Sequence, residues 1–113
     1  MKKLTADNLS ELYSKTNGTH KIATLMGATY DDLVRNFGEP SINVPSGDDK
    51  VQVEWVFDFN DEIFTIYDWK TYDRNYTLQH LNHWSIGGKT RSVEAYDAFT
   101  EKFDRKVLIQ PSF

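Results

Sequence analysis

Val51-Gln52-Val53-Glu54-Trp55-Val56-Phe57-Asp58-Phe59 is followed directly by Asn60-Asp61 and then by Glu62-Ile63-Phe64-Thr65-Ile66-Tyr67-Asp68-Trp69. Apolar side chains occupy every second position from 51 to 59, and Val56 is the one apolar residue out of step. A period of two is typical of a strand that buries one face. Because Asn60-Asp61 is a turn sequence, this stretch predicts a β-hairpin with strands at Val51–Phe59 and Ile63–Trp69.

The length of the hairpin turn decides which side chains of the second strand face the core. A two-residue turn places Phe64 and Ile66 opposite the apolar residues of the first strand, whereas a three-residue turn places Thr65 and Tyr67 there. A slip of one residue moves every side chain to the other face. We favour the two-residue turn because Phe and Ile bury more apolar surface than Thr and Tyr.

The sequences on either side of the hairpin predict helices. The most clearly marked helix begins after an N-cap at Thr29 and ends before Gly38, and acidic residues in its first turn complement the helix dipole. Apolar residues at helical spacing predict further helices at Ala6–Lys15 and Arg91–Phe103. We expect Thr90 to cap the last of these helices.

Further strands are predicted at His80–Ile86, ended by Gly87-Gly88, and at Val107–Ile109. His20–Met26 has apolar residues at helical spacing but is too short to assign, and Lys70–Gln79 is expected to be a loop. Residues 1–113 therefore predict a single α+β domain, with an antiparallel sheet of three to four strands and helices packed on one face. An exposed edge strand could pair into a homodimer.

The composition favours a cytoplasmic protein. The 113 residues include no cysteine, which excludes disulfides, thiol catalysis and thiolate metal sites. No apolar run approaches the roughly 20 residues of a membrane span, and the start lacks the apolar region of a signal peptide. We expect a soluble cytoplasmic protein with no membrane contact.

Negative charge is concentrated around the hairpin. Positions 48 to 68 contain seven acidic residues and one lysine, a net charge of −6 in a chain of net charge −4. Such a surface disfavours direct nucleic-acid binding. The negative charge predicts either a solvated face or a surface that binds a basic partner. In the second case the candidate partner-binding residues are Asp58, Asp61, Glu62 and Asp68.

The aromatic residues around the end of the hairpin are candidates for binding a partner. Trp69 lies between Asp68 and Lys70, and Tyr72 follows. Trp and Tyr are enriched at the energetic centres of protein interfaces. We therefore assign Trp69 and Tyr72 as the apolar anchors, whereas Trp84 alternates with Ile86 and is expected in the core.

A second candidate site is an anion cradle formed by Gly87, Gly88, Lys89, Thr90 and Arg91. A glycine-rich turn before a helix presents backbone N–H groups to an anion. The full phosphate-loop motif requires a glycine at position 83, which is histidine, so that motif is excluded. The alternative is an ordinary strand-to-helix turn.

Metal binding and catalysis are not expected. His80 and His83 would point to opposite faces of a strand, so they form no metal site together. The carboxylates near the hairpin turn lack the cleft that a catalytic acid needs, and no nucleophile motif surrounds a serine. We therefore expect a binding protein with no cofactor, rather than an enzyme.

Two segments resemble known protein groups. Met26–Pro40, followed by Val53–Phe57, is similar to the helix-then-hairpin unit of outer-membrane assembly lipoproteins and β-lactamase-inhibitor-like folds. That resemblance implies helices laid on an antiparallel sheet that binds other proteins without catalysis. Ile66-Tyr67-Asp68-Trp69-Lys70, with the later Trp84-Ser85-Ile86-Gly87-Gly88, resembles a group of small bacteriophage proteins. Such proteins commonly block host defences or host enzymes.

The leading functional hypothesis is a phage-encoded viral protein that inhibits a host defence by protein contact, most concretely an anti-CRISPR protein. The acidic hairpin would steer it to a host protein with a basic, nucleic-acid-binding surface. The alternative is a protein that sequesters a small molecule such as a nucleotide signal. A pocket lined by Trp84, Tyr67 and Lys89 would support the alternative, and a flat sheet without a pocket would argue against it.

Overall fold

Residues 1–112 are described by the computed structural model, and within them six strands form one antiparallel sheet. The strands are β1 (Lys2–Lys3), β2 (His20–Met26), β3 (Glu54–Phe59), β4 (Glu62–Tyr67), β5 (His83–Gly88) and β6 (Leu108–Pro111). Four helices, α1 (Leu9–Thr16), α2 (Tyr30–Phe37), α3 (Arg74–Gln79) and α4 (Val93–Thr100), connect them. The order across the sheet is β1-β3-β4-β5-β2-β6.

The α+β class is confirmed, but the predicted sheet of three to four strands is too small. The largest omission is β2, which lies between β5 and β6. A register shift between Lys21 and Ala23 breaks the alternation of β2, so Ile22, Ala23 and Leu25 are all buried. Such a bulge shifts the apolar positions away from a period of two, which is why this strand resembled a short helix.

The two-residue hairpin turn is confirmed. Phe57 pairs with Phe64 and Trp55 with Ile66 across β3 and β4. Asn60 and Asp61 both have positive φ, at 52° and 67°. Two left-handed residues give the turn the twist that continues two antiparallel strands. The hairpin register therefore follows from the turn sequence and the burial of the aromatic residues together.

The core lies on one face of the sheet, under α2 and α4. Trp55 and Trp84 are buried there with their ring centroids 5.7 Å apart, and each indole N–H donates to a backbone carbonyl 2.9 Å away. Phe37 of α2 packs edge to face against Phe57 and Phe99. The assignment of Trp84 to the core is confirmed.

The prediction that helices cover only one face is wrong. Leu12 of α1 is buried with Ile42 and Val56. Val56 points away from Trp55 and Phe57 because successive side chains of a strand alternate between faces. The one residue out of step in the hairpin therefore belongs to a second, smaller core under α1. This helix leaves the part of the same face over β2 and β5 uncovered, and the clefts described below lie there.

Helix ends agree with the sequence at α2 and differ elsewhere. Thr29 and Asp32 form a reciprocal capping box at α2, and Gly38 has φ of 82° at its end. The helix expected at Ala6–Lys15 instead begins at Leu9 after an Asn8 cap. The segment 70–79 was expected to be a loop, but its second half forms α3 after an Asp73 cap.

No helix within residues 1–112 combines the length and apolar character that crossing a membrane requires.

Candidate functional site

The first feature of the site is the buried carboxyl group of Asp68, directly after β4. It is 0% exposed and accepts four hydrogen bonds within 3.1 Å. The donors are the backbone N–H groups of Gln52 and Val53 and the hydroxyls of Thr71 and Thr77. The assignment of Asp68 to a partner-binding surface is therefore wrong, because this side chain is fully used inside the protein.

Asp68 fixes an unusual loop. Lys70 and Tyr72 both have positive φ, at 57° and 55°, which is a backbone conformation that residues other than glycine rarely adopt. Local strain of this kind persists where surrounding contacts over-determine the backbone. Here the contacts come from Asp68 and from the Lys70 N–H, which donates to the Lys50 carbonyl at 2.7 Å. The loop holds Trp69 outward, 50% exposed, with Tyr72 54% exposed.

Trp69 forms one wall of a cleft of about 530 Å³, which we call the Trp69 cleft. Its floor is the uncovered face of the sheet, with Thr24 of β2 and Ser85 of β5 paired beneath it. The residues that line the Trp69 cleft also include Lys21, Lys70, Tyr76, His83 and Trp84. The volume lies within the range of roughly 300 to 1,000 Å³ that is typical of small-molecule sites.

Two ammonium groups lie over the Trp69 ring. The Nζ atoms of Lys50 and Lys70 are 5.7 and 5.8 Å from the ring centroid. These are cation–π distances, and they place positive charge beside an exposed aromatic face. Lys21, from the floor of the sheet, adds a third amino group to the same region.

A second cavity of about 410 Å³ adjoins the first, and we call it the Glu54 chamber. It shares Lys21 and Trp69 with the Trp69 cleft. Its other lining residues are Thr16, Thr19, His20, Val51, Glu54 and Tyr67. Glu54 and Tyr67 lie directly opposite each other where β3 and β4 meet this chamber.

The pKa of Glu54 is raised to about 7, first by burial and further by the negative charge of Asp68. The Thr65 hydroxyl faces the carboxyl and partly offsets this rise. Its oxygen is nevertheless buried without a hydrogen-bond partner of good geometry among the described residues. The hydrogen bond between Thr65 and Glu54 is therefore weak, and burial is the main cause of the raised pKa of Glu54. A carboxyl with a strongly shifted pKa inside a cavity is a marker of functional sites.

Tyr67 is held in a similar environment. Burial raises the pKa of the Tyr67 hydroxyl, the Glu54 charge raises it further, and the Ser85 hydroxyl partly opposes both. The phenol therefore remains a hydrogen-bond donor as well as an acceptor throughout the physiological pH range. Together with Glu54, whose carboxyl is mostly uncharged below its pKa of about 7, it gives the chamber uncharged polar groups at mildly acidic pH.

The acidic residues of the hairpin lie apart from the aromatic anchors. Asp61 and Glu62 are exposed at the turn, and Asp58 accepts a hydrogen bond from the Asp61 N–H at 3.0 Å. Trp69 follows the opposite end of β4, a strand of six residues that spans roughly 20 Å. The predicted partner-binding residues therefore do not form one patch.

The predicted anion cradle is not formed as expected. Gly87 and Gly88 do not form a turn after the strand; they are its last two residues and are buried. The N-cap of α4 is Ser92, so the expectation of a Thr90 cap is wrong. Lys89 and Thr90 instead join Asp61 and Glu62 around a small groove of about 110 Å³. Arg91 donates to the Ser112 carbonyl.

The pocket of Trp84, Tyr67 and Lys89 that would support the small-molecule alternative does not exist as one cavity. Trp84 lines the Trp69 cleft, Tyr67 lines the Glu54 chamber, and Lys89 lines the groove at the hairpin turn. The sheet is nevertheless not flat and pocketless. Among residues 1–112, no group of three or more His, Asp or Glu side chains is arranged to hold a metal ion. His80 is the C-cap of α3 and His83 begins β5, so the prediction that these two histidines share a strand is wrong.

Sequence reasoning missed Lys21, Glu54 and Ser85 as site residues. A signal was present in the hairpin, because Glu54 and Tyr67 occupy the polar positions of otherwise apolar strands. Polar residues at alternate positions of a strand indicate that one face of the sheet packs on the core and that the other is solvated or binds a ligand. What the sequence did not show is that α1 covers only part of that face.

The two motifs with the bacteriophage resemblance are neighbours in the sheet. Thr65, Ile66 and Tyr67 of β4 pair with Gly87, Ile86 and Ser85 of β5. Comparisons of the chain with protein-family models, with curated proteins and with solved structures found no match.

Proposed function

We propose that this protein binds a small anionic ligand that carries an aromatic ring, of the nucleotide class, in the Trp69 cleft, and that it is not an enzyme. The proposal rests on the exposed Trp69 ring, which lies beside two adjoining cavities and is flanked by the ammonium groups of Lys50 and Lys70. Stacking on such a ring contributes about 1 to 3 kcal/mol per base. The lysines supply charge for a phosphate group.

The charge distribution supports this class of ligand. The chain as a whole carries −4, but the lining of the Trp69 cleft includes Lys21 and Lys70 against a single carboxylate, Asp73. Asp73 is engaged at the start of α3, where it accepts a hydrogen bond from the Tyr76 N–H at 3.2 Å. The cleft therefore favours an anion although the protein surface around the hairpin turn does not.

Sequestration of a nucleotide signal is the role we propose for this binding. It agrees with the resemblance of the Ile66–Lys70 and Trp84–Gly88 motifs to bacteriophage proteins, since such a protein would act in the cytoplasm of a bacterial host. Binding without turnover needs no catalytic group, only a ligand held long enough to lower its free concentration.

The test is isothermal titration calorimetry with cyclic AMP, AMP, GMP, cyclic di-AMP and inorganic phosphate as separate probes. We expect at least one nucleotide to bind, Trp69→Ala to weaken it by roughly 5- to 100-fold, and Lys21→Ala to weaken it as well. The matched controls Tyr72→Asn and Lys102→Ala change exposed residues outside the cleft and should bind normally. Absence of binding by every nucleotide would overturn the proposal.

A second candidate function is inhibition of a host protein, of the anti-CRISPR type. The observation that favours it is the joint exposure of Trp69 and Tyr72 on one loop. In this case Tyr72→Asn should impair activity as much as Trp69→Ala. Charge reversal by Asp61→Lys with Glu62→Lys should also weaken capture of the target from bacterial lysate, and capture should be lost at high salt. Normal capture by the charge-reversed protein would remove the acidic hairpin from this candidate function.

A further inference from the structure

The Glu54 chamber has features that the Trp69 cleft lacks. Its ionisable groups come from three strands: Glu54 of β3, Tyr67 of β4, and His20 with Lys21 of β2. Lys21 and Trp69 line both cavities, so the chamber borders the Trp69 cleft. Trp69, Lys21 and Glu54 all line the chamber, so a ring placed against Trp69 there, with its phosphate near Lys21, would share that cavity with Glu54.

Ionisable groups surround Glu54 from several elements of the fold. Tyr13 of α1 and Tyr67 interact with it, and Asp68 adds negative charge from the end of β4. His20 and Lys21 line the same cavity from β2. Among the described residues, no ion pair within 4.0 Å joins Glu54 to a lysine, arginine or histidine.

From this arrangement we propose that the Glu54 chamber binds the donor-and-acceptor edge of a heterocycle, such as the N6–H and N7 edge of adenine, through the neutral carboxylic acid of Glu54. The inference rests on the proposed nucleotide-binding function and names the base edge that the same site recognises.

The reason is the pattern of hydrogen-bonding atoms. A neutral carboxyl presents one O–H donor and one C=O acceptor, as the side-chain amide of glutamine does. That pattern pairs with the N6 donor and N7 acceptor of adenine. An ionised carboxylate presents only acceptors, so it leaves N7 without a donor. Burial raises the pKa of Glu54 to about 7, which makes the neutral form available at and below neutrality.

Recognition by the neutral form requires affinity to fall as the pH rises. The apparent affinity scales with the fraction of protein in the competent state. Between about pH 6 and about pH 8.5, the neutral fraction of Glu54 falls by roughly thirtyfold. We therefore expect cyclic AMP to bind at least about tenfold more weakly at the higher pH. Cyclic AMP is the appropriate probe because its phosphodiester does not titrate in this interval.

The experiment is calorimetric titration of cyclic AMP into the wild-type protein and Glu54→Gln at both pH values. Glutamine keeps one donor and one acceptor and does not titrate, so this variant should bind with the same affinity at both. His20→Gln and His83→Gln are matched controls for the imidazoles that line the chamber and the cleft, and they should retain the pH dependence.

A second measurement needs only the wild-type protein. Titrations at about pH 7.5 in two buffers of different ionisation enthalpy report the protons taken up on binding. Uptake of more than about half a proton per ligand, with pH-independent binding by Glu54→Gln, would establish the inference. Binding without proton uptake, or a Glu54→Gln variant that keeps the wild-type pH dependence, would overturn it while leaving the nucleotide site intact. Failure of cyclic AMP and every other nucleotide to bind would remove both proposals.

Discussion

The Thr65 hydroxyl oxygen occupies the space beside Gly87 in which a side chain at position 87 would begin. A Cβ atom on Gly87 would lie 2.5 Å from that oxygen and 3.3 Å from the Tyr67 ring. The two residues are partners across β4 and β5. The absence of a side chain at position 87 therefore makes room for Thr65 and Tyr67 on the face of the sheet that carries the clefts.

We expect Gly87→Ala to destabilise the protein by about 1 to 3 kcal/mol, because the added methyl group overpacks this contact. Urea unfolding followed by circular dichroism measures the loss. Gly47→Ala is the matched control, since a Cβ at that position meets nothing within 4 Å. Adding Thr65→Ala to Gly87→Ala should restore part of the stability, and a double variant as unstable as the sum of the two single variants would contradict this account.

Asp68→Ala should be one of the most destabilising single changes, at about 3 kcal/mol or more. The substitution removes the carboxylate that accepts hydrogen bonds from two backbone N–H groups and two hydroxyls, and it leaves these donors without an acceptor inside the protein. Denaturant unfolding measures the effect. The control is Asp97→Ala on the exposed side of α4, which should change stability by less than about 0.5 kcal/mol. Equal stability of the two variants would show that Asp68 does not hold the loop.

The same substitution at two tryptophans should give opposite results. Trp84→Ala removes a buried indole and its hydrogen bond to Ala28, so we expect a loss of about 3 to 5 kcal/mol. Trp69→Ala removes a half-exposed ring and should cost less than about 1 kcal/mol of stability, although it should abolish most ligand binding. Chemical denaturation of both variants checks the contrast, and a large stability loss for Trp69→Ala would assign Trp69 a structural role.

Stability should fall as the pH rises through neutrality because of Glu54. The unfolded chain releases this proton near the usual value of 4.5, whereas the folded protein retains it to about 7. The folded state therefore binds more protons between these values, and its free energy of unfolding decreases by about 1 to 3 kcal/mol across that interval. Urea unfolding at several pH values measures this decrease.

Glu54→Gln provides the control for that pH dependence, because it cannot ionise. It should flatten the profile between about pH 5 and pH 8 and be more stable than the wild type at the upper end. If both proteins show the same profile, the decrease arises from another group.

The hairpin turn offers a stabilising change. Asp61 has φ of 67°, a conformation that glycine adopts without steric cost. Asp61→Gly creates Asn-Gly, the preferred pair for this turn, and should raise stability by about 0.5 to 1 kcal/mol. Glu62→Gly, one residue later inside β4, should instead lower stability. The difference in thermal unfolding midpoint between the two variants tests this prediction.

The sequence by itself determined the hairpin and its register, the α2 helix and the core position of Trp84. These features depend on neighbours in the chain: alternation along β3, the Asn60-Asp61 turn, and the capping residues around α2. Local interactions of this kind act over a few residues, so they can be derived from the order of amino acids alone.

Tertiary structure decided the candidate site. Asp68 and Trp69 are adjacent in the chain, yet Asp68 is buried by partners from the segment before β3, the loop after β4 and α3, whereas Trp69 is exposed. Glu54 and Lys21 come from strands that are distant in the chain, and they line one chamber because the sheet order places β3 and β2 on either side of β4 and β5. Burial and charge of a side chain depend on what packs around it, and that is set by the sheet order and by how much of one face α1 covers.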